Sequence, residues 1–303
     1  MITRDLDAFC AFARQQAPDF GPACARGALL VSPEGLALAE QSAQDNRYMA
    51  MGARISGETA HGQHRALHAS LSAALPTLCF PGHAEAPDGL FPNNVFATTP
   101  GRLIIGHMRN PVRQREAERH DIRAFFTDLL GYGLVDLRRQ PGICELTGAL
   151  VIDRARGLGF CGLSQRCDVP GAHAMHEAFG LRATLLFDLA EGEYHTNVLL
   201  SVLAGRLLAI CPDGFAEPEV AEAIAGLYAP QVLRLDRAQQ TAFAGNCIAL
   251  SESGVWMSAR GAASLQPEQR TLLHDAGFRL HALALDEIEK AGGSLRCCVA
   301  EIF

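Results

Sequence analysis

Two adjacent thiols near the C-terminus, Cys297 and Cys298, follow Gly292-Gly293-Ser294-Leu295-Arg296 and run into the apolar Val299-Ala300-Glu301-Ile302-Phe303. The glycines free the backbone to turn into a short strand, and an ending this apolar must be docked. Side chains alternate along a strand, so only one thiol can face a given pocket while the other packs as a small hydrophobe. A cysteine attacks as its thiolate, whose ordinary pKa of about 8.5 requires an imidazolium or a bound cation nearby. Other polar groups stand just before apolar runs elsewhere in the chain. Asp88-Gly89-Leu90-Phe91-Pro92-Asn93-Asn94 brings a carboxylate and two amides, and Cys144-Glu145-Leu146-Thr147-Gly148 a second carboxylate. Tyr194-His195-Thr196-Asn197 brings an imidazole and an amide, and Gly245-Asn246 another amide. This set suits thiolate attack on a planar carbon bearing nitrogens. Cys297 would attack, and His195 would protonate the leaving nitrogen and later activate water. Glu145 would hold the N–H groups of a guanidinium or ureido head through charge-assisted hydrogen bonds.

Five repeats are what would position these groups. Apolar strand, glycine-containing turn and apolar strand recur over residues 28–38, 95–106, 149–160, 198–210 and 247–257. The turn glycines Gly35, Gly101, Gly157, Gly205 and Gly254 are 66, 56, 48 and 49 residues apart, which is regular enough to be architecture. Each hairpin leads to a helical stretch (64–75, 111–130, 170–179, 217–228, 266–276) and then to a third short strand. The expected fold is therefore α/β: five ββαβ modules closed into a ring, one domain over residues 1–303, with edge strands hidden by closure. Equivalent positions then meet at one mouth of a central channel, and five converging polar groups make a site. Leu6, Phe9, Cys10, Phe12 and Ala13 have helical spacing and are expected outside the ring near the last module. The polar run within 40–62 reads equally as a lid and as a solvated connector.

Composition narrows the partners. A net charge of -7 leaves no basic surface for nucleic acid or anionic lipid, so a small molecule is expected. No apolar run approaches a membrane span and the start lacks a signal-peptide core, which points to a cytoplasmic protein. The ten cysteines show no Cys-x-x-Cys spacing, and His61, His64, His68, His173 and His176 read as solvated helix faces, so neither disulfides nor a metal is expected. Without a phosphate-cradling glycine loop, no cofactor is implied, and self-association is left open.

Phe91-Pro92-Asn93-Asn94, Glu145-Leu146-Thr147-Gly148, Gly162-Leu163-Ser164-Gln165-Arg166, Tyr194-His195-Thr196-Asn197 and Gly293-Ser294-Leu295-Arg296-Cys297 resemble, in order, the motifs of the guanidino-group modifying enzymes, the pentein superfamily. The resemblance runs from about Asp88 to the C-terminus and is strongest to the citrulline-hydrolase-like branch. It implies a five-bladed α/β propeller, with Cys297 as nucleophile, His195 as general acid/base and Glu145 as guanidino-binding carboxylate. It also implies substrate contacts from Asp88, Asn93, Asn94 and Asn197, with Arg109 and Arg166 available to pair with a substrate α-carboxylate. Asn93-Asn94 departs from the deiminases of this superfamily, which have a gripping carboxylate there. A carboxylate facing a ureido oxygen would be left unpaired at a cost of about 1–3 kcal/mol, whereas an amide both donates and accepts. The implied reaction is citrulline to ornithine, carbon dioxide and ammonia, with arginine a candidate for both steps. Leu146 in place of a glycine and Val95 in place of an aromatic reshape the pocket. The alternatives are an arginine deiminase or methylated-arginine hydrolase, an amidinotransferase, and a non-catalytic binding ring.

Overall fold

The computed structural model describes residues 1–303. Its strands form five separate mixed sheets. In the second, Phe96–Thr99 pairs antiparallel with Arg102–Ile105, and Gly133–Asp136 adds in parallel after a helical crossover. The third (Leu150–Asp153, Leu158–Leu163, Ala183–Asp188), the fourth (Leu200–Leu203, Leu207–Ile210, Val232–Arg234) and the fifth (Ile248–Ser251, Gly254–Ser258, Arg279–Leu283) repeat this pattern. Local chemistry sets the crossovers. Val169–Phe179, for example, starts at Asp168, whose side chain accepts from Gly171 N–H, carries Pro170 in its first turn, and stops at the left-handed Gly180.

The first sheet departs from the expected hairpin at 28–38. Gly27–Val31 pairs in parallel with Thr77–Phe80, but its antiparallel partner is the C-terminal strand Ala300–Ile302. Leu36–Leu38 forms no strand, and the chain's end takes the place expected of it. The terminus is docked by polar bonds as well as by burial: Phe303 N–H donates to Thr98 Oγ1 at 2.8 Å, and the Tyr132 hydroxyl donates to Phe303 O at 2.8 Å.

Two other expectations change. Ile2–Thr3 adds as a fourth strand beside Ala183–Asp188, and helix Leu6–Ala13 packs on that strand and on helix Pro218–Gly226, between the third and fourth sheets and away from the last. Phe9, fully buried there edge-on to Phe160 at 5.8 Å between ring centroids, ties this helix to the largest apolar cluster. Truncating it to alanine should cost about 3–5 kcal/mol. His64 is no solvated residue. Helix Gly57–Ser72 buries it, Nε2 finds no partner, and burial pushes its pKa down to about 4. No helix is long and apolar enough to cross a membrane.

Candidate active site

Each inner strand is entered through a short turn, and the turns carry the polar residues. Pro92–Asn94, Leu146–Ala149, Thr196–Val198 and Leu295–Cys298 are single helical turns, and Phe243–Asn246 is the fifth bend. Four hydrogen bonds join them in succession. Thr147 Oγ1 donates to Asn93 O (3.0 Å) and Thr196 Oγ1 to Ala149 O (2.6 Å). Asn246 Nδ2 donates to Asn197 O (2.8 Å), and Asn246 Oδ1 accepts from Arg296 N–H (3.0 Å). The last turn lies against the first, Leu295–Cys298 beside Pro92–Asn94.

Cys297 therefore sits in a turn and not on the strand expected from its apolar neighbours. Both Cys297 and Cys298 donate their N–H to Ser294 O, at 3.0 and 3.3 Å. A tight turn of about three residues separates consecutive side chains by roughly a third of a revolution. Cys297 thus lines a cavity while Cys298 is wholly buried in the apolar core. Burial raises the Cys297 thiol above its ordinary pKa, opposed by the Ser294 backbone and by Asn246 Nδ2, 3.4 Å from the sulfur.

His195 and Glu145 are both completely enclosed, and His195 Nε2 meets Glu145 Oε2 at 2.9 Å. Glu145 also accepts from Arg166 Nη1 at 3.2 Å and from Arg109 N–H at 3.3 Å. Burial alone would raise this carboxyl, but Arg166 and His195 outweigh it and hold it well below the usual range. An ionised carboxylate only accepts, which assigns the neutral imidazole's proton to Nε2 and leaves Nδ1 a base. Nδ1 has no partner, and burial lowers the His195 pKa against the pull of Glu145.

The cavity, about 280 Å³ with its open mouth included, is lined by Cys297, Asn94, Asp88, Arg113, Arg166 and Tyr194, among others. Glu145 and His195 back this lining through Arg166, and Arg109 joins it from the side through Asp45. Several buried polar atoms have no partner: both side-chain heteroatoms of Asn93, Asn94 Oδ1, Asn197 Nδ2 and His195 Nδ1. Such atoms are costly unless something binds them. Gly148 permits this crowding, since a Cβ there would fall 2.7 Å from Asn94 Oδ1 and 2.8 Å from His195 Cε1. No group of three His, Cys, Asp or Glu is arranged to hold a metal ion.

The polar run after residue 40 lies across the site as a strap. Ser42 Oγ bonds Asp88, Ser42 O accepts from Arg166 Nη2 (3.0 Å), and Asn46 Nδ2 donates to Gly292 O (3.2 Å). Gly292, at φ +80°, seats Asn46 and Met49 so closely that a Cβ would collide with both. Asp45 accepts from Arg166 Nε (2.8 Å) and Nη2 (2.6 Å) and from Arg109 Nη1 (2.9 Å). The nine residues singled out from sequence all gather round this hub, but Asp45, Ser42, Arg113 and Tyr194 were not among them. Asn246 stood at the repeated position before its strand, yet nothing in the sequence connected it to the sulfur.

A family model described as N,N dimethylarginine dimethylhydrolase, eukaryotic, matches residues 32–303. The uncharacterized protein YkgA of Bacillus subtilis (strain 168) is 22% identical over 245 residues, 80% of each chain. Among solved structures, the substrate-bound N-terminal domain of ArgZ, an arginine dihydrolase from the ornithine-ammonia cycle in cyanobacteria, superposes with a TM-score of 0.79 at 19% identity, covering 91% of this chain and 97% of that one. A dimethylarginine dimethylaminohydrolase adduct with S-methyl-L-thiocitrulline gives 0.71 at 19%, covering 92% and 100%. The two solved structures share this chain's overall fold. By the match to residues 32–303, the chain belongs to the N,N-dimethylarginine dimethylhydrolase family of the guanidino-group modifying, or pentein, superfamily.

Proposed function

We propose that the five sheets close as a five-bladed α/β propeller whose hub hydrolyses the terminal C–N bond of arginine and then of citrulline, ending at ornithine. The four hydrogen bonds linking successive turns support the ring. The observation that carries the reaction is the set of unpaired amide atoms of Asn93 and Asn94 beside His195, where a carboxylate would reject a ureido oxygen.

His195 Nδ1 takes the Cys297 thiol proton as Sγ adds to the trigonal carbon, and the resulting imidazolium passes that proton to the departing ammonia. His195 Nδ1 then takes a proton from water, which adds to the same carbon and expels the thiolate. From arginine the covalent species is an S-alkylthiouronium and the product citrulline. From citrulline it is a thiocarbamate, whose hydrolysis gives a carbamic acid that loses carbon dioxide to leave ornithine. Glu145 holds the His195 tautomer and stabilises the imidazolium, instead of gripping the guanidino group as the sequence suggested, because its oxygens already serve His195, Arg166 and Arg109. Arginine's positive charge favours the thiolate, and neutral citrulline does not, so the second step depends more on Asn246 and on pH.

The test is product analysis from L-arginine, L-citrulline and asymmetric dimethylarginine. Ornithine and ammonia are expected from the first two; citrulline accumulating from arginine without ornithine would refute the second step. Release of dimethylamine would favour the second reading, a methylated-arginine hydrolase, which rests on the family match to residues 32–303.

A further inference from the structure

In the free enzyme Arg166 has no guanidinium nitrogen left for an incoming carboxylate, and Arg113 and Arg109 are each partly engaged. Arg113 gives Nε and Nη2 to Glu116 at 3.0 and 2.7 Å and Nη2 also to Phe91 O. Arg166 spends Nε and Nη2 on Asp45, Nη1 on Glu145 and Nη2 again on Ser42 O. Arg109 reaches Asp45 through Nη1. Asp45 is thus a carboxylate held by two guanidinium groups, the geometry by which a pair of arginines grips the head of an amino acid. It comes from the strap and not from the hub, and its side chain keeps 12% exposure against 2% for Arg166.

Charge decides whether a second carboxylate could join it. Arg109 and Arg166 with Asp45 and Glu145 make two positive and two negative charges. Adding a ligand's carboxylate while Asp45 stayed would set two carboxylates against the same guanidinium donors and each other, whereas exchanging one for the other keeps the local pairing. The strap would remain anchored on both sides of Asp45: Gln41 Oε1 accepts from Val112 N–H at 3.0 Å, and Ala50 N–H donates to Lys290 O at 2.8 Å.

We propose that Asp45 is a specificity-determining residue whose carboxylate occupies, on Arg109 and Arg166, the place that a ligand's own α-carboxylate takes on binding. The proposal rests on the hydrolase reading only for the identity of the ligand. Amino acids carrying a free carboxylate displace Asp45 and loosen residues 42–48, and ligands lacking one leave the strap as it is. The conformational cost of displacing Asp45 is then paid only by carboxylate ligands.

Calorimetric titration of wild type and Asp45→Asn with L-ornithine and with 1,4-diaminobutane, the same chain without its carboxylate, tests this. The variant is expected to bind ornithine roughly tenfold more tightly and the diamine within about twofold of wild type. In wild type, saturating ornithine should speed amide hydrogen exchange over residues 42–48. As a second variant, Arg109→Gln should weaken ornithine and spare the diamine. Ornithine binding that is unchanged or weaker in Asp45→Asn overturns the proposal, as does an equal gain for both ligands, which is what a merely looser strap would give. The same holds if neither protein binds ornithine. A protein that turns over neither arginine nor citrulline, yet shows the selective ornithine gain, refutes the hydrolase reading and keeps the exchange; turnover without the gain does the reverse.

Discussion

The hub turns and the strap across them treat their polar groups in opposite ways. At the hub, Asn93, Asn94, Asn197 and His195 carry buried heteroatoms with no partner, although the backbone around them is tied from turn to turn. In the strap, Ser42, Asp45, Asn46 and Tyr48 are each bonded to a distant residue. Groups left unpaired on a rigid frame are preorganised for a ligand, and groups fully paired on an irregular segment hold the frame closed until something competes for their partners. If chemistry belongs to the first region and access to the second, as proposed, substitutions should separate along that line.

The largest effect should come from the adjacent thiols. Cys297→Ala is expected to lower turnover by more than about 10⁴-fold, since in the proposed mechanism it removes the group that forms the covalent bond. Cys298→Ala, in the apolar core, should keep turnover within about twofold and cost about 1 kcal/mol of stability by denaturant melt. Equal losses of activity would mean that the pocket does not distinguish the two sulfurs. Next is Glu145→Gln, expected to lower kcat about 10³-fold, because an amide donor facing His195 reverses the tautomer that leaves Nδ1 basic. It also has a pH signature. The folded Glu145 carboxyl is held below its unfolded value of about 4.3, so its contribution is complete above that value and fades as pH falls toward the lowered one. Urea melts from pH 7 to pH 3 should show wild type losing stability more steeply than the variant.

What the sequence made legible follows the same division. Glu145, His195, Asn197, Asn93, Asn94 and Cys297 could be read because they recur before each inner strand, and a repeat turns sequence position into spatial position. Where the repeat broke, reading failed. The first module's partner strand lies at Ala300–Ile302, at the far end of the chain, and Gly35 imitated the other turn glycines without closing a hairpin. The apolar neighbours of Cys297 read as a strand, but burial and not pleating makes them apolar. Asp45 has no counterpart in the other modules. Its partners Arg109 and Arg166 are 64 and 121 residues away, a pairing that no local pattern announces.

A smaller effect probes the frame itself. Asn246 touches the Cys297 sulfur and links its own bend to the Thr196–Val198 turn before it and the Leu295–Cys298 turn after it. Asn246→Asp puts a negative charge beside the thiol and should raise its pKa further, moving the midpoint of Cys297 alkylation by iodoacetamide about one pH unit upward. A downward shift would mean that the sulfur is governed by other contacts.

The smallest effect should lie at the strap's far anchor. Glu193, with no side-chain exposure, accepts from Tyr48 OH at 2.7 Å, from Arg237 Nη1 at 2.7 Å and from Arg47 Nη2. The two arginines are 37% and 41% exposed, so water already screens much of their attraction and each pair is worth at most about 1 kcal/mol. Glu193→Gln keeps an acceptor for Tyr48 and removes the charge. It should therefore free the strap around Arg47 and Tyr48 while leaving the Asp45 bonds and the hub untouched. The expected outcome is faster amide exchange over residues 46–50, KM changed by less than about fivefold and kcat unaltered. A fall in kcat comparable to that of Glu145→Gln would show that strap and hub act as one unit, and the division between access and chemistry would fail.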